Sequence, residues 1–178
     1  MKEIILDSKQ FDNTVNKLIE NIFSYHKDFD KTAIIGIHTN GVYLAKKIAT
    51  AIGKKIKKEI PVGTIDITLY RDDIDDLGTD FPEIKDSIIP FDISKKNIIL
   101  VDDVLYTGRT IRAALDVIMD FGRPNKIELA VLIDRGNREL PIEANFVGFK
   151  KEINSKVKVE CEDSCGQNRV FTFNPSTE

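Results

Sequence analysis

An α/β domain built on a mainly parallel sheet, with helices on both sheet faces, is the fold class that this sequence predicts. Three observations carry it. Short β-branched runs alternate with amphipathic helical stretches along most of the chain. The runs Thr32–Ile37 and Ile98–Val101 are almost continuously apolar, as strands buried on both faces are. A length of 178 residues suits one medium domain, so residues 1–178 are expected to fold as a unit.

Taken in order, Ser8 is expected to cap a first helix in which Phe11, Val15, Leu18, Ile19, Ile22 and Phe23 recur at helical spacing, to about Tyr25. Thr32–Ile37 follows as a buried strand. His38-Thr39-Asn40-Gly41 makes a tight loop, and a second helix runs from Val42 to about Ile52, where Gly53 ends it. Ile60 to Leu69 alternates like a strand. Periodicity is then lost from Tyr70 to Pro90, where acidic residues crowd around Arg71. A loop that long in a compact domain is usually functional or mobile. Ile98–Val101 is the next strand, and a helix from Thr110 to Phe121 is closed by Gly122. Lys126–Ile133 and Asn145–Gly148 are further strands. Val157, Val159, Val170, Phe171 and Phe173 flank a polar Asp163–Asn168 turn and suggest a small terminal β-hairpin.

Hydrophobic residues make up 42% and charged residues 31%, which excludes a disordered or collagen-like chain. A net charge of −3 argues against a general nucleic-acid binder. No apolar run is long enough to span a bilayer, and Met1–Asp7 lacks the long apolar stretch of a secretory signal. A cytoplasmic location without membrane contact is expected. Cys161 and Cys165 have the wrong spacing for zinc or redox pairs, and read as two free thiols. His26 is expected to be solvated. Lys46, Lys47, Lys54, Lys55, Lys57 and Lys58 read as a solvated helix face and loop, and His38 lies in a loop where contact with a ligand stays open.

In parallel sheets of this kind ligands sit beyond the carboxyl ends of the strands. That places His38–Gly41, Asp102–Thr110 and Asp134–Arg138 on one rim. The informative stretch is Ile98-Ile99-Leu100-Val101-Asp102-Asp103-Val104-Leu105-Tyr106-Thr107-Gly108-Arg109-Thr110. An apolar strand delivers two adjacent carboxylates, and a Thr-Gly-Arg-Thr turn then opens a helix. A helix start presents unpaired N–H groups and partial positive charge, which suits a phosphate. Gly108 lets the backbone approach the anion. Thr107 and Thr110 add hydroxyls, with Thr110 doubling as the cap. Asp102 and Asp103 suit ribose hydroxyls or a cation. Either feature alone would read as a capped helix with a solvated acidic pair. Together they outline a site for a ribose 5-phosphate.

This segment resembles the phosphoribosyl pyrophosphate signature of the type I phosphoribosyltransferases. Asp66-Ile67-Thr68-Leu69-Tyr70-Arg71-Asp72-Asp73, Ile89-Pro90-Phe91-Asp92-Ile93 and Asp134-Arg135-Gly136-Asn137-Arg138-Glu139-Leu140-Pro141-Ile142 are similar to one subfamily. That subfamily is the bifunctional pyrimidine operon attenuation regulator and uracil phosphoribosyltransferase. The resemblance covers roughly residues 8 to 148 and fades over the tail, about 149–178. It implies a type I phosphoribosyltransferase-like fold with a small C-terminal hood. The implied reaction makes UMP and pyrophosphate from uracil and phosphoribosyl pyrophosphate, with Mg2+ as cofactor. It implies roles too: catalytic Asp102, Asp103 and Arg71, and a 5-phosphate site at Val104, Leu105, Tyr106, Thr107, Gly108, Arg109 and Thr110. Thr39, Asn40 and Gly41 become a pyrophosphate loop, and Asp134, Arg135 and Arg138 surround the base. The loop of about residues 70–88 would close over the site. Metal would be held through the substrate, with Asp102 and Asp103 as candidate ligands. A homodimer or higher homo-oligomer is implied as well.

RNA is the subfamily's second partner, and here the sequence departs from the pattern. Asn40 stands where Arg is usual, Asn137 where His is usual, and Glu143 where a basic residue is usual. Phe149–Ser155 replaces a Lys-Asn-Ile-Pro-Thr-Ser stretch. Phosphate contacts supply most nucleic-acid affinity, so these changes weaken that expectation. Two alternatives stay open: a UMP-responsive RNA-binding attenuator with weak catalysis, and a purine-type phosphoribosyltransferase.

Overall fold

A computed structural model describes residues 3–68 and 85–173. Its centre is a five-stranded, wholly parallel sheet. The strands are β2 (Thr32–Ile37), β3 (Val62–Ile65), β4 (Asn97–Leu105), β5 (Lys126–Asp134) and β6 (Phe146–Lys150), in the order β3-β2-β4-β5-β6. The strand period of two sorts their apolar residues onto two faces. Ile34, Ile99, Val101, Ala130 and Leu132 pack under α1 (Ser8–Tyr25) and α2 (Asn40–Ile56). Ile35, Ile98, Leu100, Leu129 and Val131 pack under α3 (Arg109–Phe121). Both faces are covered, which is why the central strands are continuously apolar.

A second sheet is antiparallel, in the order β1-β8-β7: β1 (Glu3–Leu6), β7 (Lys156–Glu160) and β8 (Arg169–Phe173). The terminal hairpin is as expected, with a four-residue helix, α4 (Glu162–Cys165), at its turn. The strand β1 was not foreseen. It is only four residues long, and its partner β8 lies at the far end of the chain.

Several boundaries differ from the sequence reading. Asp7, not Ser8, caps α1. Its carboxylate accepts from the Gln10 N–H at 2.8 Å, and the Gln10 side chain accepts from the Asp7 N–H at 3.0 Å. Helix α2 runs through Gly53 and ends at Lys57, which takes the left-handed conformation at φ 56°. Gly53 is the point of close approach instead, because a Cβ there would lie 2.9 Å from the Lys58 carbonyl oxygen. β3 is shorter than 60–69, and the loop expected at about 70–88 lies mostly outside the described residues, as does Arg71. β4 is nine residues long and stays paired with β5 as far as Leu105 and Asp134. Asp102 and Asp103 therefore sit within a strand rather than in the loop after it.

His26 is not solvated. Its side chain is 6% exposed and lies 3.1 Å from the Glu128 carboxylate, among Tyr25, Phe29 and Phe146. The lysine face is exposed but partly paired: Lys47 bonds Asp12 and Tyr43, Lys55 bonds Glu20, and Lys58 bonds Asp30. Both cysteines are free; Cys161 is buried and Cys165 exposed. Burial pushes the Cys161 thiol up to about 12. None of the described helices is long and apolar enough to cross a membrane.

Candidate active site

At the carboxyl ends of β2, β3 and β4 lies a cavity of about 330 Å³. It is lined by Ile37, His38, Thr39, Asn40, Asp66, Ile67, Thr68, Asp102, Asp103, Val104 and Thr110. Three chain segments meet there because parallel strands all deliver their following loops to the same edge.

The acidic pair forms its floor. Asp102 is 6% exposed, and its Oδ1 accepts from the Asp103 N–H at 2.9 Å. Burial and the adjoining Asp103 charge push the Asp102 carboxyl well above the usual carboxylate range. Burial raises Asp103 too, while hydrogen bonds from Asn40 and from the Val104 N–H pull it back. The Asn40 carboxamide nitrogen donates to Asp103 Oδ2 at 2.8 Å.

The first loop is set by two glycines. A Cβ on Gly36 would lie 2.6 Å from the Gly41 carbonyl oxygen, and one on Gly41 would lie 2.5 Å from that of Val101. Only glycine lets the start of α2 press so closely on β2 and β4. The His38–Thr39 peptide is cis. Burial and the nearby Lys85 hold the His38 imidazole below its ordinary value, against the pull of Asp66.

The helix α3 begins at Arg109, so Gly108 rather than Thr110 is its N-terminal cap. Gly108 has φ 95° and offers no side-chain cap of its own, while the Thr107 hydroxyl accepts from the Arg109 N–H at 3.3 Å. The partial positive charge of the first turn still suits an incoming anion. The turn is braced from behind. The Thr107 carbonyl accepts from the Glu139 and Leu140 N–H groups, both at 3.0 Å, and Arg109 pairs with Glu139 at 2.7 Å.

Asp134, Arg135 and Arg138 lie beside the cavity, at the end of β5, and do not line it. Asp134 is buried and pairs with Arg138 at 2.7 Å and with Lys150 at 3.7 Å. Arg138 also donates to the carbonyls of Ile142 and Tyr106, both at 2.9 Å. Arg135 donates to the Ile153 carbonyl at 3.0 Å, and its guanidinium stacks 3.9 Å from the centroid of the Tyr106 ring. Both arginines thus hold the surrounding backbone.

Asp66 and Thr68, which the sequence marks only as part of a segment resembling the subfamily, form the opposite wall. Burial would raise the Asp66 carboxyl, but donors outweigh it and hold it low. These are the Thr68 hydroxyl at 2.6 Å and the N–H groups of Lys85 at 2.6 Å and Thr68 at 2.7 Å. One carboxylate thereby holds both Thr68 and Lys85. The Asp-x-Thr turn signal after β3 could have found it.

Comparison with known proteins gives the family and the fold. The family model for the phosphoribosyl transferase domain matches residues 1–165. The bifunctional protein PyrR of Endomicrobium trichonymphae is 58% identical over 173 residues, covering 96% of this chain and 98% of that protein. The bifunctional protein PyrR of Thermus aquaticus is 47% identical over 171 residues, 95% of this chain and 94% of that one. Similarity therefore reaches well into the tail, beyond the extent of the sequence reading. Among solved structures, a Trypanosoma cruzi hypoxanthine phosphoribosyltransferase superposes with a TM-score of 0.74 at 14% identity, over 97% of this chain and 95% of that one. At that identity the likeness speaks for the fold alone. With a type I phosphoribosyltransferase fold, a family model over residues 1–165 and whole-length relatives named PyrR, the chain belongs to the phosphoribosyl transferase domain family.

Proposed function

We propose that this protein is a uracil phosphoribosyltransferase, converting uracil and phosphoribosyl pyrophosphate to UMP and pyrophosphate. The observation that carries the reading is the single cavity bringing together the twin acids, the first loop and Thr110 at the start of α3. Asp102 and Asp103 take the ribose hydroxyls. Thr107, Gly108, Arg109 and Thr110 hold the 5-phosphate, with Val104, Leu105 and Tyr106 leading into the turn. Thr39, Asn40 and Gly41 present their backbone to the pyrophosphate, joined by Arg71 from the segment 69–84, while the Asn40 carboxamide nitrogen is committed to Asp103 and the Val159 carbonyl. Asp134, Arg135 and Arg138 support the base pocket by fixing its backbone.

Displacement at the anomeric carbon builds oxocarbenium character. It asks for charge stabilisation and a dry site rather than a protein nucleophile. Burial at the floor and backbone donors at the helix start supply both. Among the described residues no group of three or more His, Cys, Asp or Glu side chains could cage a metal. Two adjacent carboxylates fit Mg2+ held mainly through substrate oxygens and water, with Asp102 and Asp103 as its protein-side partners. A Mg2+ ion held there would supply charge neutralisation for the pyrophosphate leaving group. Association as a homodimer or higher homo-oligomer is part of this reading.

The test is UMP formation from the two substrates with Mg2+, alongside a panel of purine bases and orotate. Turnover with uracil, abolished by Asp103→Asn, is expected; silence with every base overturns the reading. A second reading, nucleotide-responsive RNA binding, follows from the subfamily resemblance, and the relatives are bifunctional proteins. A leader RNA retarded at low salt and held tighter with UMP would support it.

A further inference from the structure

Asn40 bridges the two sheets. Its carboxamide nitrogen donates to Asp103 Oδ2 at 2.8 Å and to the Val159 carbonyl, on β7, at 3.0 Å. That nitrogen carries two hydrogens, and both are used. The backbone beneath it has no slack, because Gly41 lies against Val101 and Gly36 against Gly41 with no room for a Cβ. The side chain therefore projects from a fixed base at the first turn of α2.

Its second partner is less secure. β7 is an edge strand of the small sheet, paired along one side with β8. Its last residues press inward: Val159, Glu160 and the following Cys161 are all buried. Cys161 comes near enough to Asp103 for that carboxylate to raise the thiol further. The edge of the small sheet thus lies over the acidic pair, and Asn40 joins them.

The geometry points to Asn40 as a positioning residue that locks the Asp103 carboxylate and the edge strand β7 into one unit, so that the small sheet is seated by the sugar-binding floor of the cavity. Its use is mechanical. Asp103 keeps one rotamer before substrate arrives, and movement of β7 is transmitted to Asp103 through a single carboxamide. The kinetic part of this inference rests on the proposed ribose role of Asp103; the anchoring of β7 does not.

Amide hydrogen exchange in the ligand-free protein tests the anchor, and steady-state kinetics test the positioning. Asn40→Ala should speed exchange over residues 157–161 by about tenfold, leaving β4 and β5 unchanged. It should raise the KM for phosphoribosyl pyrophosphate about tenfold, as loss of a hydrogen bond to a charged group does, with the KM for the base within about twofold. Asn40→Gln, which keeps the donor, should recover part of both effects. Asn40→Asp keeps the size but turns an acceptor towards Asp103, and should behave at least as badly as Ala. Unchanged exchange at 157–161 in both Ala and Asp variants overturns the anchor. Equal rises in both KM values, or no recovery with Gln, overturn the positioning role. Were the wild type silent with every base, calorimetric binding of ribose 5-phosphate would replace the kinetics. A wild type that also fails to bind it sinks the functional reading, and the exchange result still decides the anchor.

Discussion

Replacing Gly41 by Ala adds one methyl group at the tightest point of the candidate site. A Cβ there would lie 2.5 Å from the Val101 carbonyl oxygen and 3.2 Å from Asp102 Cα, whereas ordinary contact starts near 3.4 Å. The backbones must part by about 0.9 Å to restore contact distance. Val101 cannot retreat, because it is paired with Gly36 of β2 on one side and Ala130 of β5 on the other. The start of α2 must move instead, and Asn40 moves with it. Overpacking of this kind costs about 1–3 kcal/mol. For a chain of this size that is a fall in melting temperature of about 3–10 °C. A misplacement of about 1 Å at a reacting centre costs about a hundredfold in rate. The assay pairs a thermal melt with initial rates measured well below the variant's melting temperature. The expected variant is folded, less stable and nearly inactive. If Gly41→Ala melts within about 1 °C of wild type and turns over within about twofold of it, the start of α2 does not bear on β4 as described.

Two further outcomes follow from buried charge. Arg138→Met removes the closest partner of the buried Asp134 carboxylate, along with the bonds to the Ile142 and Tyr106 carbonyls. A loss of about 3 kcal/mol in urea denaturation is expected, and a loss under about 1 kcal/mol would contradict the network. At His26, burial outweighs the Glu128 carboxylate and holds the imidazole below its ordinary 6.5. The unfolded chain therefore binds the proton more readily, so the contribution is complete above pH 6.5 and is lost as the pH falls below it. The urea midpoint of wild type should fall more between about pH 7.5 and pH 5 than that of His26→Asn. Equal falls would show that His26 does not titrate on unfolding.

The central sheet was legible because its strands are apolar on both faces and its helices amphipathic, so periodicity and burial agree at Thr32–Ile37 and Phe11–Ile22. The errors cluster where local signals compete. Ser8 and Asp7 are adjacent cap formers, and only the reciprocal bonds with Gln10 decide between them. Gly53 looked like a helix stop, but the Lys58 carbonyl claims the space of its side chain before the helix has ended. The extent of β4 was hidden because two carboxylates break an apolar run, although backbone pairing with β5 continues beneath them. His26 sits at a helix end that is usually solvated, and only packing against Phe29 and Phe146 buries it. The Asn40 bridge to β7 could not be read at all, since Val159 takes part through its carbonyl and any residue there would serve.

The charge balance of the cavity bears on how the proposed reaction can run. Its described lining carries three acidic side chains, Asp66, Asp102 and Asp103, with burial pushing Asp102 towards its neutral form, and no lysine or arginine. A substrate bearing a phosphate and a pyrophosphate would enter a cavity of its own sign, at a site where burial strengthens repulsion. The helix start of α3 offsets this at one end with partial positive charge, but only within its first turn. The pyrophosphate end needs a full compensating charge from elsewhere. Lys46 and Lys85 lie near enough to act on His38, yet neither lines the cavity. The proposed function takes that charge from a divalent cation brought in with the substrate and from Arg71. On this argument the acids at the floor do not repel the substrate so much as make its binding conditional. Phosphoribosyl pyrophosphate without its cation should bind weakly, and the carboxylates should gain their ribose contacts only once that charge is in place.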